Sequence, residues 1–198
     1  MAVRDPDLEL VRDLTSGSAD RRRDALAALY ERYGRRVFNV AWRVTSDWNR
    51  AQDVTQDVFL TLKERVGSWR GDASLGSWLY RLAVNRAIDH RRREQRRPAW
   101  RMGDGPLDEE VRRPRGEDAT VFPSDALDRE EQDARVRAAL ERLSPKLRAI
   151  LVLRYLEGLS YEDLAAVLAC SLGTVKSRLN RAHAAFKEAL EAEGGGDL

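Results

Sequence analysis

Apolar residues recur every three or four positions along most of the chain: Leu8, Val11 and Leu14, then Leu26, Leu29, Tyr30 and Tyr33, then Val37, Val40, Ala41 and Val44. That spacing predicts amphipathic helices, and no alternating run of the kind a half-buried strand needs competes with it. Breaks rich in Gly, Ser or Asp at Thr15 to Ser18, Thr45 to Trp48, Gly67 to Ser77 and Gly158 to Leu159 predict short connections. From about Pro98 the period is lost, because Gly103, Gly105, Pro106, Pro114, Gly116 and Pro123 interrupt any helix until about Leu127. The pattern predicts an all-α chain: two small helical domains, 1–97 and 135–198, joined by a flexible linker over 98–134.

The carboxy-terminal domain carries the most specific local pattern. Ser144-Pro145 reads as an N-cap and a first-turn proline, with Ala149, Ile150, Leu153 and Leu156 on a core face until Gly158 ends the helix. Ser160-Tyr-Glu-Asp163 then opens a second helix with a cap and an acid three residues on, and turns Leu164, Ala165, Val167 and Leu168 inward. After an Ala169-Cys170-Ser171 turn, a third helix buries Leu172, Val175, Leu179 and Phe186, leaving Thr174, Ser177, Arg178 and Arg181 on one outward face. Two short helices joined by a tight turn match a helix-turn-helix over Ser160 to His183, whose second helix enters the major groove. The candidate DNA-binding residues here are Ser171, Thr174, Lys176, Ser177, Arg178 and Arg181. Arg178 and Arg181 suit guanine, while Lys176, off that face, suits phosphate. The plain alternative is a solvated charged face on an ordinary helical hairpin.

In the amino-terminal domain, Gly67 to Trp78 is a polar, glycine-rich loop bearing Trp69, Arg70 and Trp78, leading into a helix over Leu79 to Arg93. Trp78, Leu79, Leu82 and Ala83 can face a core, while Arg81, Asn85, Asp89, Arg92 and Arg93 lie towards another side. Aromatic and basic residues together suit single-stranded nucleic acid, on which bases stack and arginines follow the backbone. Trp69 reads equally well as a base contact or a core anchor; Trp78 reads as core. Upstream, Asp53, Gln56 and Asp57 accompany an apolar face of Val54, Val58 and Leu62, so the acids either meet a basic partner surface or are solvated.

Charge refines this picture through its placement. Charged residues make up 34% of the 198 residues, yet the net charge is only +2. Arg86, Arg91, Arg92, Arg93, Arg96, Arg97 and Arg101 are followed at once by an acidic stretch from Gly103 to Asp133, so opposite charges cancel between neighbouring segments. A single cysteine, Cys170, leaves no internal disulfide and no cysteine-based zinc site, and reads as a small hydrophobe in the turn. His90 and His183 are the only histidines, and His183 reads as a surface residue without a partner. With no phosphate-binding Gly-x-x-x-x-Gly-Lys loop and no dinucleotide fingerprint, neither an enzyme, a cofactor nor a metal is expected. Met1 to Val11 lacks the apolar core of a signal peptide and the longest apolar run is too short to span a bilayer, so a cytoplasmic protein is expected.

The residues resemble the extracytoplasmic-function (ECF) sigma factors of bacterial RNA polymerase. The likeness runs from about Leu8 to Leu190, omitting the linker. Its most specific stretches are Asp53-Val-Thr-Gln-Asp-Val-Phe59, Trp69-Arg-Gly-Asp72, Trp78-Leu-Tyr-Arg-Leu-Ala-Val-Asn85, Ala87-Ile-Asp-His90, Leu156-Glu-Gly-Leu-Ser-Tyr-Glu-Asp163 and Gly173-Thr-Val-Lys-Ser-Arg178. The resemblance implies that Asp53, Gln56, Asp57 and Phe59 lie in the helix that docks on the clamp of the polymerase core. It implies that the loop from Trp69 to Ser74 captures a flipped base of the minus-ten element, with Asn85, Arg86 and the following arginines, Arg92 and Arg93 among them, along the melted non-template strand. It implies minus-thirty-five duplex recognition by Thr174 to Arg181, an acidic linker threaded towards the RNA exit route, nucleoid association, a role in stress response, and control by an anti-sigma factor that is often at the membrane. Two positions depart from the common pattern: Trp69 stands where phenylalanine is frequent, and Ala169 where the turn often has glycine, which suggests a turn without a left-handed residue. The competing reading is a helix-turn-helix regulator that binds duplex DNA unaided.

Overall fold

The computed structural model describes residues 7–71, 73–95 and 134–194, and among these every regular element is helical. The linker and its acids, up to Asp133, lie outside the described residues, as do Arg96, Arg97 and Arg101. The amino-terminal part is α1 (Leu8–Ser16), α2 (Ala19–Thr45), α3 (Trp48–Arg65), a 3-10 turn (Val66–Ser68) and α4 (Leu75–Gln95). The carboxy-terminal part is α5 (134–142), α6 (Pro145–Leu151) running into a π-helical turn (Val152–Leu156), α7 (Tyr161–Leu168) and α8 (Leu172–Gly194).

At 27 residues, or about 40 Å, α2 is the pillar against which α1, α3, α4 and α6 pack. Its start is capped by Ser18, whose Oγ accepts from the Arg21 amide at 3.4 Å. It ends at Ser46, which adopts the left-handed conformation (φ 58°) and returns its amide to the Trp42 carbonyl. Asp47 then caps α3 by accepting from the Arg50 amide at 3.0 Å. Leu29, Val37, Val40, Ala41 and Val44 meet Val54, Val58 and Leu62 of α3 and Leu75, Leu79 and Ala83 of α4 in one buried core. Asp7, itself fully buried, ties α1 to α2 through Arg32 and the Tyr33 hydroxyl. Leu8 and Tyr30, which the spacing turns inward, are instead about half exposed. The break foreseen up to Ser77 is shorter, because the Ser74 hydroxyl accepts from the Ser77 amide at 3.1 Å and starts α4 at Leu75.

The helix opened by Ser144 and Pro145 also differs from its pattern. Pro145 occupies the first turn, but Ser144 makes no side-chain cap bond. From Val152 the backbone widens to π geometry, with the Glu157 amide returning to the Val152 carbonyl at 3.2 Å. A π turn holds more residues than an α turn, so the three-to-four spacing slips out of phase. Ile150 and Leu153 are buried as expected, whereas Leu156 is rotated out and half exposed.

The two parts are packed together rather than merely tethered. Arg148, the largest side chain in the fully buried set, reaches from α6 to the ends of two other helices. Its Nε donates to the Leu140 carbonyl at 2.7 Å and Nη2 to the Glu141 carbonyl at 2.6 Å, at the end of α5. Its Nη1 donates to the Val44 carbonyl at 3.1 Å and the Ser46 hydroxyl at 2.7 Å, at the end of α2. A second tie joins α4 to the segment before α7: the Tyr80 hydroxyl donates to Glu157 Oε2 at 2.5 Å. Burial, and then the Glu157 bond, push the Tyr80 phenol well above its usual range.

Arg148→Met keeps the stem and removes every donor, stranding acceptors at the ends of two helices; it is expected to lower the unfolding free energy by about 3–5 kcal/mol. Urea denaturation measures this, and a loss below about 1 kcal/mol would mean that the guanidinium is not the tie. Because the folded state holds the Tyr80 proton more tightly than the unfolded chain, stability should fall as pH rises above the free tyrosine value of about 10. Tyr80→Phe removes that titration, so its stability should decline less between pH 9 and 11 than the wild type's; parallel curves would assign the alkaline loss elsewhere.

Candidate nucleic-acid interface

The helix-turn-helix is built as its sequence predicts at the first helix and differently at the turn. Ser160 and Asp163 form a reciprocal capping box, the Ser160 hydroxyl accepting from the Asp163 amide at 3.0 Å. Arg154, which the sequence pattern does not single out, braces the approach: Nη1 donates to the Leu159 carbonyl at 2.6 Å and the guanidinium lies 5.1 Å from the Tyr161 ring centre. Contrary to expectation, Ala169 is left-handed (φ 48°, ψ 54°). The α7 end needs a residue there so that the Cys170 amide can return to the Ala165 carbonyl at 3.0 Å. Cys170 is only partly buried, packed against the core.

Ser171 starts α8. Its hydroxyl accepts from the Thr174 amide at 3.2 Å and shares a 2.9 Å bond with Thr174 Oγ1, while its carbonyl accepts from the Val175 amide. Val175, Leu179 and Ala182 are buried, but Leu172, ahead of the first of them, is exposed, and Phe186 is half-buried. On the other side Lys176, Ser177 and Arg181 are exposed, with Thr174 and Arg178 half-buried beside them. Arg181 Nε reaches back to the Ser177 carbonyl at 3.4 Å. The six carboxy-terminal candidates therefore lie on one helix start and its first three turns. His183 is exposed as expected yet has a partner, since its Nε2 is 2.7 Å from the Tyr155 hydroxyl. The two flank an apolar groove with Leu156 and Phe186 that the sequence does not signal, because it depends on the π turn.

In the amino-terminal part, Trp69 is half-buried against the core and donates its indole Nε1–H to the Ala73 carbonyl at 3.0 Å. Arg70 and Gly71 are exposed at the tip, and Gly71 has φ +76°, which a side chain adopts only with strain. Asp72 lies outside the described residues. The loop runs directly into α4, where Asn85 and Arg86 are exposed about 15 Å further along the helix. Arg92 and Arg93 lie on the same helix, their side chains outside the described set. Trp78 is half-buried on the core, as expected.

The third candidate surface is a groove between α2 and α3. Gln56 and Phe59 line it, together with Tyr30, Phe38, Trp48 and Leu60. Phe59 is almost fully buried, its ring edge-on to Tyr30 at 4.8 Å, whereas Tyr30 and Leu60 are more than half exposed. Asp53 is exposed and Asp57 half-exposed on α3, outside the groove lining. Tyr30 escapes a sequence reading because its spacing is that of a core face, whereas Leu60 stands off the Val54, Val58 and Leu62 row, on the side of Gln56 and Asp57.

Comparison with known proteins decides what this set of surfaces belongs to. Residues 29–97 match the Sigma-70 region 2 family model and residues 133–185 the Sigma-70, region 4 model. The chain is 35% identical over 202 residues to the RNA polymerase sigma-H factor of Pseudomonas aeruginosa, covering 96% of this chain and 97% of that one. The chain belongs to the sigma-70 family and is an ECF-type RNA polymerase sigma factor. It is 32% identical over 167 residues to the ECF RNA polymerase sigma-E factor of Escherichia coli K12, covering 84% and 87% of the two chains. Among solved structures, the sigma factor RpoE of Bartonella quintana, in complex with the anti-sigma factor NepR, is 25% identical, with a TM-score of 0.61 over 83% of this chain and 96% of that one. CnrH, in complex with the cytosolic domain of CnrY, shares the fold at 24% identity and a TM-score of 0.64, over 94% and 97% of the chains. The region 2 match leaves the unaided helix-turn-helix regulator without support, since it covers the half that such a regulator would give to another purpose. Among the described residues no helix is long and apolar enough to cross a membrane, and none of the His, Cys, Asp or Glu groups could hold a metal ion.

Ala169 sets a stability prediction for this sigma factor. Ala169→Gly removes the left-handed penalty and should stabilise the chain by about 1 kcal/mol, raising the melting midpoint by roughly 2–4 °C for a chain of this size. A lower midpoint would mean that the Ala169 methyl contributes more by packing than its backbone costs.

Proposed function

We propose that this sigma factor docks on the clamp of core polymerase through α3 and the α2–α3 groove, and that its two regions then read the two promoter elements together. The observation that carries this is the coexistence, on one sigma-70 chain, of an apolar groove bordered on α3 by Asp53 and Asp57 with two separate exposed faces that carry arginine and polar side chains. Gln56, Tyr30 and Leu60 supply the contact area, Phe59 lies beneath them and holds the Tyr30 ring edge-on, and Asp53 and Asp57 complement basic groups at the rim. Residues 1–97 form the polymerase- and minus-ten-binding domain, 98–134 the acidic linker, and 135–198 the minus-thirty-five-binding domain.

On α8, Arg178 and Arg181 contact base edges in the minus-thirty-five duplex, with Ser171, Thr174, Ser177 and Lys176 placing the helix on the backbone. The Trp69 to Ser74 loop accepts a base from the melted non-template minus-ten strand, and Arg70, Asn85, Arg86, Arg92 and Arg93 follow that strand. The chain supplies binding energy for strand opening and no covalent chemistry, and no cofactor or metal is required. Each region alone binds weakly, and being held on one polymerase raises the effective concentration of the second reader at its element. RpoE of Bartonella quintana was solved with an anti-sigma factor; this chain too binds such a partner, which holds it in check, and it acts in the cytoplasm at the nucleoid in a stress response.

Run-off transcription with core polymerase on genomic promoter fragments tests the reading. The wild type should direct initiation, and Asp53→Arg/Asp57→Arg should weaken core binding by roughly tenfold. Arg178→Ala should lower initiation about 5- to 100-fold on promoters that depend on the minus-thirty-five element. No initiation by the wild type on any fragment would overturn the proposal, as would tight promoter-specific binding by the chain without polymerase.

A further inference from the structure

Trp69 holds a position that neither base contact nor core anchor describes fully. Its ring lies half-buried against the core, which leaves part of its surface and the indole N–H for other use. That N–H is spent within the loop itself, on the Ala73 carbonyl at 3.0 Å. The Trp69 backbone amide is fixed as well, donating to the Val66 carbonyl at 3.0 Å from a residue that is itself buried. At the far end Ser74 is locked into the start of α4 by its bonds to the Ser77 amide at 3.1 Å and the Ser77 hydroxyl at 3.0 Å.

Between these two anchors the tip turns through Gly71 at φ +76°. Glycine reaches that conformation freely, and as freely leaves it. The indole bond is what spans the tip, joining residue 69 to residue 73 across it. A phenylalanine could fill the same space on the core but has no N–H with which to close the span.

We infer that Trp69 is a positioning residue for base selection: its indole N–H, bonded to the Ala73 carbonyl, pins the two sides of the minus-ten loop together before the base arrives. This rests on the reading of the Trp69 to Ser74 loop as the base-capturing element. A loop whose sides are pinned in advance loses less freedom on capture and tolerates a misfitting base less well. The consequence is selectivity at the captured position, separate from overall stability and from polymerase binding.

The test uses holoenzyme assembled from core polymerase and the full chain, on a promoter active in run-off transcription with each minus-ten position permuted through the four bases. Trp69 is replaced by phenylalanine and, by site-specific incorporation, by the benzothiophene isostere of tryptophan, which keeps the ring and stacking area and lacks only the N–H. Arg70→Ala and Gly71→Ala disturb the tip independently. Both Trp69 replacements should reduce discrimination between the best and next-best base at one minus-ten position by about three- to tenfold, the size expected for one neutral hydrogen bond. The ranking of minus-thirty-five substitutions should not change. If the isostere discriminates like the wild type while Gly71→Ala does not, the loop reads the base but the indole bond does not shape it, and the inference is overturned. If the isostere discriminates like the wild type and Trp69→Phe alone fails, the ring acts by its size or stacking, which also overturns it. If Arg70→Ala, Gly71→Ala and both Trp69 replacements all discriminate like the wild type, the loop is not the base reader and the underlying functional reading falls.

Discussion

The arrangement of this sigma factor turns on a cation buried where two helices end. The last carbonyls of a helix lack intrahelical partners and carry the negative end of its dipole. At the end of α2 the Val44 carbonyl and the Ser46 hydroxyl converge on Arg148, and at the end of α5 the carbonyls of Leu140 and Glu141 do the same. A guanidinium suits this place because it spreads five donors over a rigid plane and never loses its charge. One side chain thereby satisfies acceptors that would otherwise be buried and unmet. A lysine could not reach both ends from one stem with the same fork.

Because α2 is the pillar of region 2 and α5 the entry to region 4, the Arg148 guanidinium fixes how the two regions meet. Val44 and Ser46 lie about a hundred residues from Arg148 in sequence. The Tyr80 to Glu157 bond is a second such contact, joining the helix that carries Asn85 to the segment that leads into the helix-turn-helix. Both ties lie in the interior or on its margin, while Arg70, Asn85, Arg86, Lys176, Ser177 and Arg181 all remain exposed. The contacts that hold the regions together therefore use different residues from those proposed to face nucleic acid. Substitutions in the two sets should separate stability from promoter recognition.

Much of this was legible in the sequence because it depends on local period and local hydrogen bonds. The apolar faces of α2, α3 and α4, the capping box at Ser160 and Asp163, and the outward row on α8 follow from neighbours three or four residues apart. What escaped was of two kinds. Ala169 and Leu156 depend on backbone states that side-chain pattern does not encode: a left-handed alanine at the end of α7, and a π turn that shifts the phase after Leu153. Arg148 and Tyr30 depend on what lies opposite in space. Periodicity counts an arginine as polar and a tyrosine in an apolar row as core, and so puts each on the wrong side.

The same distinction explains why the candidate sites differ in how much the sequence revealed of them. The α8 face is read from one helix, so spacing alone selects its residues, and the geometry adds only that Ser171 and Thr174 are bonded to each other at the helix start. The groove proposed for docking needs two helices: Gln56 and Phe59 of α3 carry the sequence signal, but Tyr30 of α2 completes the surface by turning out from a run that otherwise faces the core. The loop proposed to capture a base is the extreme case, since the bond between Trp69 and the Ala73 carbonyl joins its two sides beyond a glycine, and no period describes a loop. There the chemistry of one atom, an indole nitrogen in place of a phenyl edge, decides more than the pattern around it.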